Sequence, residues 1–77
     1  MNIRKITESF PNYSYDLEET NYDRKLYFWY KEQNFFFEIP NDETNTKVKI
    51  LIEEEWQTFE DEDIEKLIQK TIEIINN

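Results

Sequence analysis

The segment Lys25-Leu26-Tyr27-Phe28-Trp29-Tyr30-Lys31-Glu32-Gln33-Asn34-Phe35-Phe36-Phe37-Glu38-Ile39 decides the fold. Two aromatic-rich runs, Lys25 to Glu32 and Phe35 to Ile39, flank the polar pair Gln33-Asn34. Aromatic and β-branched side chains suit a pleated, half-buried surface, so both runs read as strands. Asparagine tolerates positive φ, and the pair therefore predicts a tight turn centred on Gln33-Asn34. That hairpin opposes Tyr30 to Phe37 and Phe28 to Ile39 on one face. On the other face it opposes Lys31 to Phe36 and Trp29 to Glu38, a register that groups the strongest apolar pairs.

The pattern extends downstream. Pro40 to Thr46 reads as a polar loop and Lys47 to Glu53 as a further strand. Continued antiparallel, Val48, Ile50 and Ile52 oppose Ile39, Phe37 and Phe35, while Glu38 meets Lys49 and Phe36 meets Leu51. Beyond Trp56, Thr58 with Asp61 resembles a capping box. Ile64, Leu67, Ile68, Thr71, Ile72 and Ile75 then follow the i, i+3, i+4, i+7 spacing of one buried helical stripe. Upstream, residues 2–9 form a short amphipathic helix with Ile3, Ile6 and Phe10 near one face, stopped by Pro11. Tyr13 to Glu18 alternates as a half-buried strand, and Thr20 to Asp23 is a turn. The expected class is α+β over a single domain, residues 1–77. It comprises a three- to four-stranded antiparallel meander, a short N-terminal helix and a longer C-terminal amphipathic helix, with helices on one sheet face.

The chain has 77 residues and contains no histidine, cysteine or glycine. Those absences remove imidazole acid–base chemistry, thiolate nucleophiles, disulfides and glycine-built phosphate loops, and argue against an enzyme. A domain of this size buries about 60% of its unfolded surface, so a single core must carry a marginal fold. Aromatic residues at 17% of the chain, with ten isoleucines, supply that core and argue against disorder. No apolar run approaches the roughly 18 residues of a membrane span, and Met1-Asn2-Ile3-Arg4-Lys5 leads into no signal core. The expectation is a cytoplasmic protein without a membrane or a cofactor. The wealth of Asn, Ile, Lys and Glu, with no alanine, points to an AT-rich genome.

The formal net charge of −9 is unevenly placed. Residues 1–39 hold five bases and seven acids, a net of −2; residues 40–77 hold four bases and eleven acids, a net of −7. No base lies between Ile50 and Glu65, whereas Glu53, Glu54, Glu55, Glu60, Asp61, Glu62, Asp63 and Glu65 are acidic. Acids in a helix's first turn favour its dipole, which would account for Glu60 to Asp63 but not for Glu53, Glu54 and Glu55. As a binding surface, the row Glu53, Glu54, Glu55, Asp61, Glu62 and Glu65 offers a line of charge in the role phosphates fill. Read as a calcium loop from Asp61, the same stretch places Lys66 where glycine is needed and Ile72 where the bidentate glutamate is needed. No metal site is expected.

A second candidate surface is the reverse sheet face, with Tyr27, Trp29, Phe36 and Leu51 among Lys25, Lys31, Lys47 and Lys49. Aromatics among bases can stack single-stranded nucleic acid, but the acidity of the whole repels phosphate and no direct nucleic-acid contact is expected. The expectation is that the N-terminal helix or another protein surface covers this face, a homodimer being one way to do so. Trp56 either stacks over the start of the C-terminal helix or anchors a partner within the acidic rim.

In size, charge and helix–sheet–helix layout the chain resembles small acidic phage-encoded inhibitors that mimic DNA. These include type II anti-CRISPR proteins, uracil-DNA glycosylase inhibitors and blockers of host replication. The resemblance implies a non-enzymatic inhibitor in the host cytoplasm, occluding a host DNA-binding protein with its acidic surface. The alternative is a bacterial interaction module, such as a toxin-immunity protein or small regulatory subunit, binding through Tyr27, Trp29 and neighbouring aromatics.

Overall fold

A computed structural model describes residues 2–42 and 45–76. Helix α1 (Asn2–Ser9) is followed by strands β1 (Ser14–Glu19), β2 (Asp23–Tyr30), β3 (Gln33–Pro40), β4 (Thr46–Ile52) and β5 (Glu55–Asp61). Helix α2 (Ile64–Ile75) closes the described chain. The strands form one antiparallel sheet in the order β1-β2-β3-β4-β5. The α+β class and the meander match the sequence reading, and the sheet has five strands where three or four are expected. Of the expected Pro40–Thr46 loop, Glu43 and Thr44 lie outside the described residues, as does Met1.

Both helices lie on one sheet face, the side of Leu26, Phe28, Phe35, Phe37, Ile39, Val48 and Ile50. Ile6 and Phe10 close the core from the α1 side, and Leu67 and Ile68 from α2. Phe10 sits on the middle of the sheet, its ring centroid 5.2 Å from Phe28 and 4.9 Å from Phe35. The α2 stripe is the expected one: Leu67, Ile68 and Thr71 are buried, with Ile64, Ile72 and Ile75 packed at the margin. Thr71 can stand in that stripe because its hydroxyl donates to the Leu67 carbonyl at 2.8 Å, so its buried oxygen is paired. The ion pair Lys5 Nζ–Glu65 Oε1, at 3.0 Å, joins the two helices at the surface.

Two registers differ from expectation by an even step, so every side chain keeps its face. The β2–β3 hairpin turns at Lys31-Glu32, not Gln33-Asn34, and pairs Phe28 with Phe35, Leu26 with Phe37 and Tyr30 with Gln33. Lys31 leaves the strand for the turn, where it takes φ 55°. Burial overrides the turn preference of asparagine, because this register puts Phe28 and Phe35 together, stacked at 5.0 Å beneath Phe10. It also seats Gln33, whose Nε2 donates to the Ile75 carbonyl at 2.7 Å and whose Oε1 accepts from the Tyr13 hydroxyl. In the next hairpin Phe35 pairs with Ile50, Phe36 with Lys49 and Glu38 with Lys47. The expected Glu38–Lys49 contact survives diagonally as a 2.9 Å ion pair.

The larger correction concerns residues 53–63. Glu53 and Glu54 form a turn, and Glu55–Asp61 runs back along β4 as an edge strand, pairing Leu51 with Trp56 and Lys49 with Thr58. Thr58 is therefore a strand residue, and the helix cap is Asp63, whose carboxylate accepts from Glu65 N at 3.0 Å. Asp61 accepts from Asp63 N at 2.8 Å, which turns the chain out of the strand. Acid placement at a helix start thus applies to Asp63 and Glu65 and not to Glu60.

Glu53 and Glu54 both take positive φ, 51° and 69°. That pair of angles belongs to a turn that asparagine and glycine occupy at least cost, while other L-residues lose roughly 1–2 kcal/mol each. Replacing the pair, Glu53→Asn with Glu54→Gly, should stabilise the fold by about 1–2 kcal/mol. Urea denaturation of the two proteins measures it, at an unchanged m-value.

Candidate functional site

With both helices on one side, no described helix or strand covers the other face of the sheet. The expectation that the N-terminal helix covers it is not met, because Ile6 of α1 and Phe10 just after it pack into the core on the opposite side. Trp56 likewise does not stack over the start of α2. It projects from β5 onto the open face, its ring centroid 5.3 Å from Phe36 in an edge-on arrangement.

The register assigns the open face row by row. One row is a ladder of alternating charge, Glu18 to Lys25 to Glu38 to Lys47 to Glu60, with one member from each strand. Opposite charges stand side by side on adjacent strands, three acids with two bases, so the row comes close to neutrality. The adjoining row holds Asp16, Tyr27, Phe36, Lys49 and Thr58. Tyr27 and Phe36 lie 5.1 Å apart, and Lys49 Nζ stands 5.7 Å from the Phe36 centroid while it pairs with Glu38. Towards the two hairpin turns, Trp29 pairs with Asn34 and Trp56 with Leu51.

Trp29 and Trp56 stand on strands separated by β3 and β4, about 14 Å apart at the usual interstrand spacing. Between them Asn34 and Leu51 form a lower floor, with Phe36 behind, and the result is a cleft of about 320 Å³. Trp29 is 43% exposed and Trp56 50%, which for side chains of this size leaves large apolar surface in water. A larger groove, about 620 Å³, lies between α1 and β1, where Tyr15 and Leu17 extend past the reach of the helices. It contains neither tryptophan.

The acids predicted as one surface are spread over three places. Glu53, Glu54 and Glu55 gather at the β4–β5 turn, at the tryptophan end of the face. Asp61 and Glu62 lie at the opposite end of β5, beside the start of α2, and Glu65 is engaged by Lys5. Among the described residues no group of three or more acids converges as a metal site would require. Lys25 and Lys47 sit on the open face as expected, within the ladder, whereas Lys31 is in the turn with its Nζ 5.2 Å from the Tyr30 centroid. Glu18 and Glu60 are members of the face that the sequence reading missed; only the register of the edge strands reveals them.

Tyr27 is raised above the usual tyrosine pKa, first by burial and then by Glu18, whose Oε2 accepts from the Tyr27 hydroxyl at 3.4 Å. Tyr13 is raised by burial and by Tyr30. A folded-state pKa above the unfolded value means the unfolded chain loses its proton first. Stability from these groups is therefore whole below pH about 10 and falls as pH rises further. Absorbance titration should show a tyrosinate step above the ordinary range, and the Tyr13→Phe/Tyr27→Phe double variant should lack it.

No protein-family model matches the chain, and comparison with curated proteins and with solved structures yields no match. No helix among the described residues is long and apolar enough to cross a membrane.

Proposed function

We propose that the chain is a non-enzymatic binding protein that docks on another protein through the open sheet face. The observation that carries this reading is the helix-free face with Trp29 and Trp56 half exposed at one end, over a floor of Asn34, Leu51 and Phe36. Tryptophan and tyrosine dominate the energetics of interfaces, because each buries a large rigid surface at small entropic cost. The net charge of −9, with Glu53 and Glu54 at the tryptophan end, favours a basic partner surface over a second copy of the same acidic chain. The left-handed glutamates support the same view, since strained backbone of this kind concentrates at functional positions.

A more specific form of the proposal is inhibition by DNA mimicry, in which the basic surface is a host protein's DNA-binding channel. It draws on the acids at the two ends of the edge strand β5, Glu53, Glu54 and Glu55 at one and Asp61 and Glu62 at the other, in a stretch of sequence free of bases. Acidic side chains there would take the place of phosphates and speed association at low salt.

The two forms separate in one competition experiment. Mimicry requires that duplex DNA displace the chain from its partner. It also requires that replacing Glu53, Glu55, Asp61 and Glu62 by glutamine or asparagine cut affinity at least tenfold with circular dichroism unchanged. Binding that ignores both DNA and neutralisation, yet fails without the tryptophans, leaves the aromatic face as the whole interface.

A further inference from the structure

We infer that the cleft between Trp29 and Trp56 receives an arginine side chain of the partner. The inference rests on the open-face reading and gives it an anchor. The cleft is walled by two indoles and backed by the Phe36 ring, aromatic systems whose faces are electron-rich. A cation placed against such rings is attracted by their quadrupoles, most strongly by tryptophan. The face already holds one cation in this manner, Lys49 Nζ against Phe36.

The two hairpin turns at this end of the face are acidic. One residue pair beyond Trp29 and Asn34 the chain reaches the Lys31-Glu32 turn, and one pair beyond Leu51 and Trp56 it reaches Glu53-Glu54. Lys31 is the single base of these two turns and lies against the Tyr30 ring, so Glu32, Glu53 and Glu54 outnumber it. On the floor, the Asn34 amide nitrogen is held by the Glu32 carbonyl at 3.4 Å, which leaves its carbonyl oxygen to accept a hydrogen bond. A planar, weakly hydrated guanidinium can stack on an indole and donate to Asn34 while its charge faces the turn glutamates. An ammonium is smaller, more strongly hydrated and cannot stack. An aliphatic or aromatic anchor would fill the same volume and leave those acids unanswered.

The chain contains two tryptophans, so two indole N–H signals in a ¹H–¹⁵N spectrum report the cleft without interference. The probes are the blocked pentapeptide Gly-Gly-Arg-Gly-Gly and twins with lysine or citrulline in place of arginine, titrated to millimolar concentration into the full chain. The expected result is movement of both indole signals, half-saturated by the arginine peptide at a concentration at least tenfold below that of the citrulline twin, with lysine between. Glu53→Gln/Glu54→Gln should weaken the arginine peptide at least threefold, and Trp56→Ala should abolish the shift of the remaining indole. Equal response to arginine and citrulline overturns the arginine assignment while leaving the open-face reading in place. Still indoles with every peptide overturn it as well. If Trp29→Ala/Trp56→Ala also binds the partner as the unaltered chain does, the open-face reading falls with it.

Discussion

Phe37→Ala should leave the chain largely unfolded at 25 °C. Phe37 is fully buried on the central strand, ringed by Phe10, Phe28 and Phe35 at 6.1 Å each. Truncating a buried phenylalanine costs about 3–5 kcal/mol in lost transfer energy and unfilled cavity. A single core in a chain this short supplies roughly 3–5 kcal/mol in all, and no disulfide adds to it. Far-ultraviolet circular dichroism and the loss of dispersed amide signals would register the collapse. A folded Phe37→Ala protein with a clear thermal transition would mean that the core is deeper than one layer of phenylalanines. The milder Phe37→Leu keeps most of the volume and should remain folded, with reduced stability.

The second large effect is on binding. Trp29→Ala/Trp56→Ala should weaken partner binding at least a hundredfold while leaving the fold intact. Central interface tryptophans contribute about 2 kcal/mol or more apiece on truncation, and two of them exceed a factor of a hundred if even part of that is realised. Both are exposed, and neither belongs to the core that holds the sheet to the helices. The stability change should accordingly be small beside that of Phe37→Ala, although Trp56 gives up its contact with Phe36. Isothermal titration with the partner, paired with thermal melts of both proteins, distinguishes lost binding from lost folding.

Much of this architecture was legible in residues 25–39 and 64–75, where apolar side chains recur at the periods of strand and helix. Period alone carries no register, however. Gln33-Asn34 is the better turn by local chemistry, yet the chain turns two residues earlier, because pairing Phe28 with Phe35 completes the cluster under Phe10. The even step kept Tyr27, Trp29 and Phe36 on the face foreseen for them. Strand β5 was hidden for a different reason. As an edge strand it buries little, and only Phe59 packs against the core, so alternation in Glu55–Asp61 is faint. The glutamates of its turn also occupy backbone angles that a reader of sequence reserves for asparagine and glycine. Once β5 is placed, the acids no longer form one belt, and Trp56 moves from the helix to the open face.

The open face as binding surface is tested most directly by site-specific photo-crosslinking from its two sides. A benzoylphenylalanine at Thr58, midway along the edge strand β5 on the helix-free face, is compared with one at Gln69, on the exposed side of α2. The partner should crosslink from Thr58 and not from Gln69, and Trp29→Ala/Trp56→Ala should remove the Thr58 product. Crosslinking from Gln69 alone would place the interface on the helical side and contradict it.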